Sequence, residues 1–359
     1  MTDHSPVLRE HGYHELRVKG VVRETHDASS FVLEVPAPLE ETFRYRSGQF
    51  CTFRVHVDGE GDGDEQVRSY SMSSAPATDD DLTVTVKRVA GGLVSNWLLD
   101  HLGVDDVVEV TKPAGVFCAR DTERPVLAFC GGSGITPVMS IAKQVLATTT
   151  RSVRLLYANR DRDSVIFDAV LGALGDAHPG RLAVRHHFDS AGGFLTPDDV
   201  RDFAGADARG ADCYICGPGP FMDIVEGVLL ELGVAPERIF LERFLVDQQE
   251  KEDAAVAAID PAGAADVPDE VTVILGGKRV VVKYQAGDTL LETARRGGLR
   301  PPFSCESGNC ATCMAFLKEG NVAMRANNAL TPEEVEEGWV LTCQSLPSGD
   351  TVTVEYEAM

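Results

Sequence analysis

Four cysteines toward the C-terminal end constrain this chain more than any other feature. Residues 302–313 read P-F-S-C-E-S-G-N-C-A-T-C, and one further cysteine, Cys343, follows well downstream. The resulting C-x4-C-x2-C…C spacing is the one with which four thiolates hold a [2Fe–2S] cluster: one loop supplies three ligands, and the fourth returns from the far end of the domain. Gly308 and the small Ser304, Ser307, Ala311 and Thr312 let backbone N–H groups approach the sulfurs and tune their potential. A structural zinc site is the alternative, but zinc ligands usually arrive as two separated C-x2-4-C pairs, and only one short pair is present. A disulfide framework fits less well, because nine cysteines in a large chain with no apolar export segment point to a reducing compartment. The expectation is a one-electron centre on Cys305, Cys310, Cys313 and Cys343, with the rest of the chain built to feed it.

At 359 residues there is room for two or three domains, each with its own core. A formal net charge of −23 argues against nucleic-acid or anionic-membrane partners, although acidity of this kind commonly serves solubility alone. No apolar run approaches a membrane span, and the N-terminal residues lack a signal-peptide core. A cytoplasmic monomer is expected.

Between about Leu16 and Val116 short β-rich runs alternate with turn residues: 16–22, 30–35, 48–57, 82–89 and 107–110, with a glycine-rich excursion at 57–63. Evenly spaced short strands suggest a small antiparallel barrel. Within it lies R-S-Y-S, where alternation puts Arg68 and Tyr70 on one face and Ser69 and Ser71 on the other. Downstream comes Gly92-Leu93-Val94-Ser95, a glycine and a serine ahead of a helix start at 96–99 suited to a phosphate. Together these motifs resemble the ferredoxin-NADP reductase family. The resemblance implies that Arg68 meets the flavin pyrophosphate, Tyr70 packs on the isoalloxazine and Ser71 lies near flavin N5. It further implies that Val86 and Lys87 run along the flavin edge and that Gly92, Leu93, Val94 and Ser95 hold the pyrophosphate. The second motif favours FAD over FMN.

From Pro125 the period changes. A buried-type strand at 125–130 runs into G-G-S-G-I-T-P at 131–137 and a helix at 138–147, and strands at 153–158, 182–188 and 213–216 alternate with helical stretches. That pattern means a parallel sheet covered on both faces. A glycine-rich turn from strand into helix suits a pyrophosphate, through backbone N–H groups and the helix dipole. Gly132, Gly134, Thr136 and Pro137 followed by C-G-P-G-P-F-M at 216–222 resemble the pyridine-nucleotide domain of the same family. In that family Cys216 would sit beside the nicotinamide, with Gly217, Pro218 and Met222 completing the motif. Glu242-Arg243-Phe244 resembles the closing E-x-F, whose acid and aromatic lie near the flavin. Cys51, Cys118, Cys130 and Cys213 are read as buried small hydrophobes. Asp189 stands where NADPH-preferring relatives often carry Ser-Arg; an acid repels a 2′-phosphate and accepts a ribose hydroxyl. NADH is therefore expected, with NADPH as the alternative if Arg160 and Arg162 serve a phosphate.

Residues 246–268, rich in Ala, Pro and acids, read as a tether that keeps the last domain at high effective concentration. That domain opens on a Gly276-Gly277 hairpin, continues through a helix from Asp288 to Gly297, and resembles the β-grasp plant-type ferredoxins. An acidic run, Glu333, Glu334, Glu336 and Glu337, is a solvated helix or a docking face for a basic partner. The expected architecture is multidomain: an antiparallel β-barrel FAD domain at 12–118, an α/β parallel-sheet pyridine-nucleotide domain at 119–245, a linker at 246–268 and an α+β β-grasp [2Fe–2S] ferredoxin domain at 269–359.

The order of parts implies an enzyme. A nicotinamide gives up two electrons together and a [2Fe–2S] cluster takes one, so a flavin must stand between them. No motif for a mononuclear iron, diiron or haem centre that would activate oxygen is present, so the terminal oxygenase is expected on another polypeptide. With the reductase first and the ferredoxin last, and on the stretches 156–161, 164–167 and 215–222, the chain resembles the reductase components of 3-ketosteroid 9α-hydroxylases, which serve Rieske oxygenases, and of diiron phenylacetyl-CoA epoxidases. The absence of Ser-Arg after Val184 and the stretch 321–327 favour the former. A redox sensor is the remaining alternative, although no unassigned segment is long enough for an effector surface.

Overall fold

A computed structural model describes residues 13–57, 64–243, 267–299, 301–303, 308, 313–327, 330 and 332–356. The chain forms two compact units: one carries the second sheet and most of the first, and the other carries the third sheet together with residues 13–14 and 67–69.

The first sheet comprises β1 (Tyr13–Arg23), β2 (Ala28–Glu34), β3 (Phe50–Val57), β4 (Asp64–Ser71), β5 (Leu82–Lys87) and β6 (Val107–Thr111), in the order β4-β3-β6-β1-β2-β5. β1 with β2, β2 with β5 and β3 with β6 are antiparallel. Just past β4, Met72 bridges Val84 of β5 and the Ser73 amide donates to the Thr83 carbonyl at 2.8 Å, so the sheet bends round into a nearly closed barrel. Alternation drives this: Leu82, Val84 and Val86 of β5 point inward with Leu16, Val18, Phe31 and Phe53, each buried side chain contributing roughly 1.5–3 kcal/mol. Helix α1 (Leu93–His101) buries Val94 and Leu98 in the same core. It begins earlier than its sequence suggests, because its N-cap is Gly92, which offers no side-chain oxygen to advertise the start.

The second sheet holds β7 (Val126–Gly131), β8 (Val153–Asn159), β9 (Leu182–Phe188), β10 (Asp212–Gly217) and β11 (Ile239–Arg243), ordered β11-β10-β7-β8-β9 with every neighbouring pair parallel. Every residue of β7 and β10 is buried, as a central strand covered on both faces requires. Ala128, Cys130 and Tyr157 pack toward α2 (Ile135–Thr148), while Leu127, Phe129 and Ile215 pack with the buried sides of α5 (Pro197–Ala204) and α6 (Gly219–Glu231). Two further elements, α3 (Asp168–Ala177) and the single turn α4 (Asp189–Gly192), flank β9. Strand order reverses between β7 and β10, and ligands of such sheets bind outside the carboxyl ends at that reversal.

Barrel and parallel sheet are held together by polar contacts. The fully buried Ser140 of α2 donates to the Ser74 carbonyl at 2.5 Å and accepts from the Gly48 amide at 3.2 Å. Tyr214 donates to the Cys118 carbonyl and accepts from the Arg120 amide, and Lys143 pairs with Asp79 at 3.0 Å. Beneath the sheet Arg151 and Asp212, both almost fully buried, pair at 2.8 Å.

In the third sheet, β12 (Glu270–Leu275), β13 (Lys278–Lys283), β14 (Met314–Met324), β15 (Trp339–Leu341) and β16 (Ser345–Glu355) are ordered β13-β12-β16-β14-β15. β12 and β16 are parallel and the other pairs antiparallel, and Leu290 and Ala294 of α7 (Leu290–Arg296) pack on the sheet in the β-grasp manner. The helix cap differs from the Asp288 expectation. Thr289 accepts from the Glu292 amide and Glu292 accepts from the Thr289 amide, a reciprocal capping box that outcompetes a lone aspartate. The acidic run falls on and just after a short helix, α8 (Pro332–Glu336), with Glu336 and Glu337 exposed. The proposed tether lies almost wholly outside the described residues.

Candidate functional site

At the end of the barrel, Tyr70 and Ser71 close β4. Tyr70 is partly exposed and meets Phe53 edge-on at 5.4 Å between ring centres, which fixes its plane, while Ser71 is buried. Arg68 is exposed on the same strand and Ser69 partly so. On β5, Val86 is fully buried and Lys87 largely so. The N-terminus of α1 has no side-chain cap and no acid in its first turn, leaving its first amides for an anion. Ser95 Oγ accepts from the Val89 amide at 3.3 Å, bracing the Gly92 turn, and Leu93 is exposed beside the buried Val94. Asn96 Oδ1 is buried with no hydrogen-bond partner among the described residues, an orphaned acceptor at this helix start that no sequence motif marks. The arrangement fits the phosphates and ring of a bound FAD.

Two backbone loops meet at the carboxyl ends of β7 and β10. A Cβ on Gly134 would lie 2.1 Å from the Cys216 carbonyl oxygen, and one on Gly217 2.9 Å from the Gly131 nitrogen. Only glycine permits this approach, so the two glycine motifs form a single cradle. Thr136 donates to the Ser133 carbonyl at 3.0 Å and tightens the turn, Pro137 is buried behind it, and Pro218 caps α6. Tyr157 braces the cradle from below, donating to the Gly132 carbonyl and accepting from the Ile166 amide. In the sequence it looks like an ordinary core aromatic. Met222 packs in the core beneath α6.

Cys216 of β10 is in register with Cys130 of β7 and with Glu242 of β11. Burial, and then the neighbouring Glu242 carboxylate, push the Cys216 thiol well above its ordinary range, so it presents a small neutral surface rather than a thiolate. Phe244 lies outside the described residues.

Asp189 follows directly on β9 and opens α4. Neighbouring Arg160 is held by Asp27 at 2.9 Å and Arg162 by Asp168 at 2.8 Å, so both candidate phosphate-gripping arginines already have carboxylate partners. Burial lowers the Lys87 pKa, with Asp27 opposing and Arg160 reinforcing the shift. The Lys87 ammonium stands close to where a Gly132 Cβ would be, which brings β5 of the barrel up to the glycine cradle.

In the third sheet's unit, Cys313 and Cys343 are buried in one apolar cluster with Leu291, Met314, Trp339 and Leu341. Thr342 ties them: its amide and hydroxyl both donate to the Cys313 carbonyl, at 3.2 and 2.7 Å, while buried Tyr356 donates to its hydroxyl at 2.8 Å. Gly308 has φ +78°, and a Cβ there would lie 2.8 Å from the Ala326 carbonyl. Cys305 and Cys310 lie outside the described residues. A buried thiol pair pinned by backbone-directed hydrogen bonds fits the sulfur-ligand chemistry of a cluster. Thr342→Val keeps the shape but orphans the Tyr356 hydroxyl. The visible cluster absorbance should then bleach about tenfold faster in the presence of a chelator, the low end of outer-shell effects.

The folds and sites together define an oxidoreductase with flavin, nicotinamide and iron–sulfur domains. The oxidoreductase FAD-binding domain family matches residues 15–118, the oxidoreductase NAD-binding domain family residues 129–227, and the 2Fe-2S iron-sulfur cluster binding domain family residues 273–348. The chain is 40% identical to the ferredoxin reductase component of 3-ketosteroid-9-alpha-monooxygenase from Mycolicibacterium smegmatis, over 96% of this chain and 97% of that one. It is 32% identical to one subunit of the 1,2-phenylacetyl-CoA epoxidase of Escherichia coli, over 96% and 98%. In fold it is similar to phthalate dioxygenase reductase, with a TM-score of 0.57, 24% identity, and 96% and 98% of the two chains covered. The chain belongs to the family of oxygenase reductase components that includes the first two of these proteins.

Proposed function

We propose that this chain passes electrons from NADH through FAD and a [2Fe–2S] cluster to a separate Rieske-type oxygenase that hydroxylates 3-ketosteroids. The end-to-end 40% identity to a ketosteroid monooxygenase reductase, against 32% to the epoxidase protein, carries this reading. The pairing of Arg160 and Arg162 with carboxylates, beside Asp189, supports NADH. We further assign 12–118, 119–245, 246–268 and 269–359 as flavin, nucleotide, linker and ferredoxin segments.

When bound, the flavin supplies the exchange between paired and single electrons, and the cluster supplies one-electron transfer. The chain's residues bind, orient and insulate. Arg68 and the α1 N-terminus (Gly92 to Ser95) hold the pyrophosphate. Tyr70, its plane fixed by Phe53, and Ser69, Ser71, Val86 and Lys87 hold the ring. Gly132, Gly134 and Thr136 let the nicotinamide nucleotide approach the backbone, and Asp189 accepts from its ribose. The protonated Cys216 thiol beside Glu242 keeps the nicotinamide pocket small and free of a competing nucleophile. Cys305, Cys310, Cys313 and Cys343 bind the cluster.

Anaerobic stopped-flow reduction by NADH and NADPH, followed by reconstitution with a ketosteroid oxygenase component and steroid, tests the proposal. Faster flavin bleaching with NADH, then partial cluster bleaching and hydroxylated steroid, is expected. NADPH preference, with turnover supported only by the epoxidase oxygenase, would move the chain to that branch. Slow single turnover released only by a binding partner would indicate a sensor.

A further inference from the structure

Asp27 sits in the turn between β1 and β2, on the barrel, yet its side chain faces the nucleotide sheet. It is only 14% exposed. Thr25 Oγ1 donates to Oδ1 at 2.8 Å and seats the carboxylate. Arg160 Nη2 donates to Oδ2 at 2.9 Å, while His26 Nε2 at 3.8 Å and Lys87 Nζ at 4.0 Å complete its charged surroundings. Its own carbonyl accepts from the Arg88 amide at 2.7 Å, so the turn is fixed from both sides.

Arg160 is the first residue past β8, and β8 lies beside β9, with Asn159 in register with Phe188. The Arg160 carbonyl accepts from the Ser190 amide at 2.9 Å, directly next to Asp189. The guanidinium therefore starts from the strand end that discriminates between a ribose hydroxyl and a 2′-phosphate. Its other hydrogen bond, to Ser164 Oγ, is long at 3.5 Å, and at 60% exposure the guanidinium is able to turn toward a phosphate once Asp27 no longer holds it.

We propose that Asp27 is a positioning residue that sets nucleotide choice from the flavin side of the cleft, by keeping Arg160 engaged. The proposal rests on the NADH reading above. A nucleotide carrying a 2′-phosphate must break a preorganised ion pair and bring its dianion between the Asp27 and Asp189 carboxylates. A nucleotide with a free 2′-hydroxyl meets neither obstacle. Arg162, paired with Asp168, offers no substitute.

The test is calorimetric titration of the full chain, loaded with FAD and cluster, with NAD+ and NADP+, so that no turnover enters the measurement. Wild type should bind NAD+ more tightly. Asp27→Asn, nearly isosteric, should tighten NADP+ by about tenfold, the low end for one hydrogen bond to a charged group, and change NAD+ far less. Arg160→Gln added to Asp27→Asn should abolish the gain, since the pair acts as a unit. A gain that survives in the double variant would come from lost negative charge alone and would overturn the proposal, as would no gain in Asp27→Asn. If Asp27→Asn loses its flavin on purification, Thr25→Val, which removes only the hydroxyl seating the carboxylate, should shift NADP+ in the same direction by a smaller factor; no shift there overturns the proposal equally. Wild type preferring NADP+ would sink the NADH reading itself. Wild type preferring NAD+ with unresponsive variants sinks only the role of Asp27.

Discussion

Cys343→Ala is expected to abolish the cluster and to split the protein's activities. NADH-dependent reduction of ferricyanide, which a flavin supports, should persist. Reduction of cytochrome c should fall by more than the roughly 10–100-fold that outer-shell changes cost at metal sites, because a ligand is removed outright. Cys343 lies in the apolar cluster of Leu291, Met314, Trp339 and Leu341, and its neighbour Thr342 is hydrogen-bonded to the Cys313 carbonyl. Alanine leaves those hydrogen bonds intact, so the domain keeps its scaffold while the centre loses a thiolate. The measurements are iron and sulfide content, visible absorbance and the two acceptor assays on one preparation. Retention of the cluster with both activities intact would remove Cys343 from the ligand set. Loss of both activities together would mean that the two acceptors draw on one centre.

The parts of the site legible in the sequence were those whose chemistry demands unusual residues in a fixed order. Cysteine spacing pointed to the cluster, and the glycine loops at 131–134 and 217–219 announced a backbone that something must approach closely. Alternation in β5 and the all-apolar β7 separated barrel from parallel sheet, since one face buried and two faces buried leave different patterns. What was not legible depended on pairs distant in sequence. Nothing in residues 24–28 says that Asp27 will meet Arg160, because that contact exists only once barrel and sheet are packed. Tyr157 and Thr342 carry no motif and brace their sites through hydroxyls that look like core and turn residues in a string of letters. The α1 start was masked by a glycine cap, and the Thr289 capping box was obscured by the equally plausible Asp288 beside it.

Gly134→Ala should produce the largest effect of any single methyl group in the nucleotide cradle. The added carbon would fall 2.1 Å from the Cys216 carbonyl oxygen, 2.4 Å from its carbon and 2.8 Å from the Gly217 nitrogen. All three are backbone atoms of a central strand that is hydrogen-bonded on both sides, so no side chain can swing away. The loop or the end of β10 has to move, and overpacking of this kind costs about 1–3 kcal/mol, or more where relief is blocked. That shift also carries Cys216 and the cradle away from each other. Misplacement near 1 Å is enough to cost about 10²-fold in rate, so kcat/KM for NADH-dependent ferricyanide reduction should fall by about that factor. FAD content should be preserved, because the barrel is untouched. Gly219→Ala is the matched control, since a Cβ there meets nothing within 4 Å although the residue belongs to the same G-P-G-P run. Thermal unfolding and NADH kinetics of the two variants decide the matter: indistinguishable behaviour would mean that the Gly134–Cys216 approach does not position the nucleotide, whereas loss confined to Gly134→Ala would place that function in the contact between the two backbones.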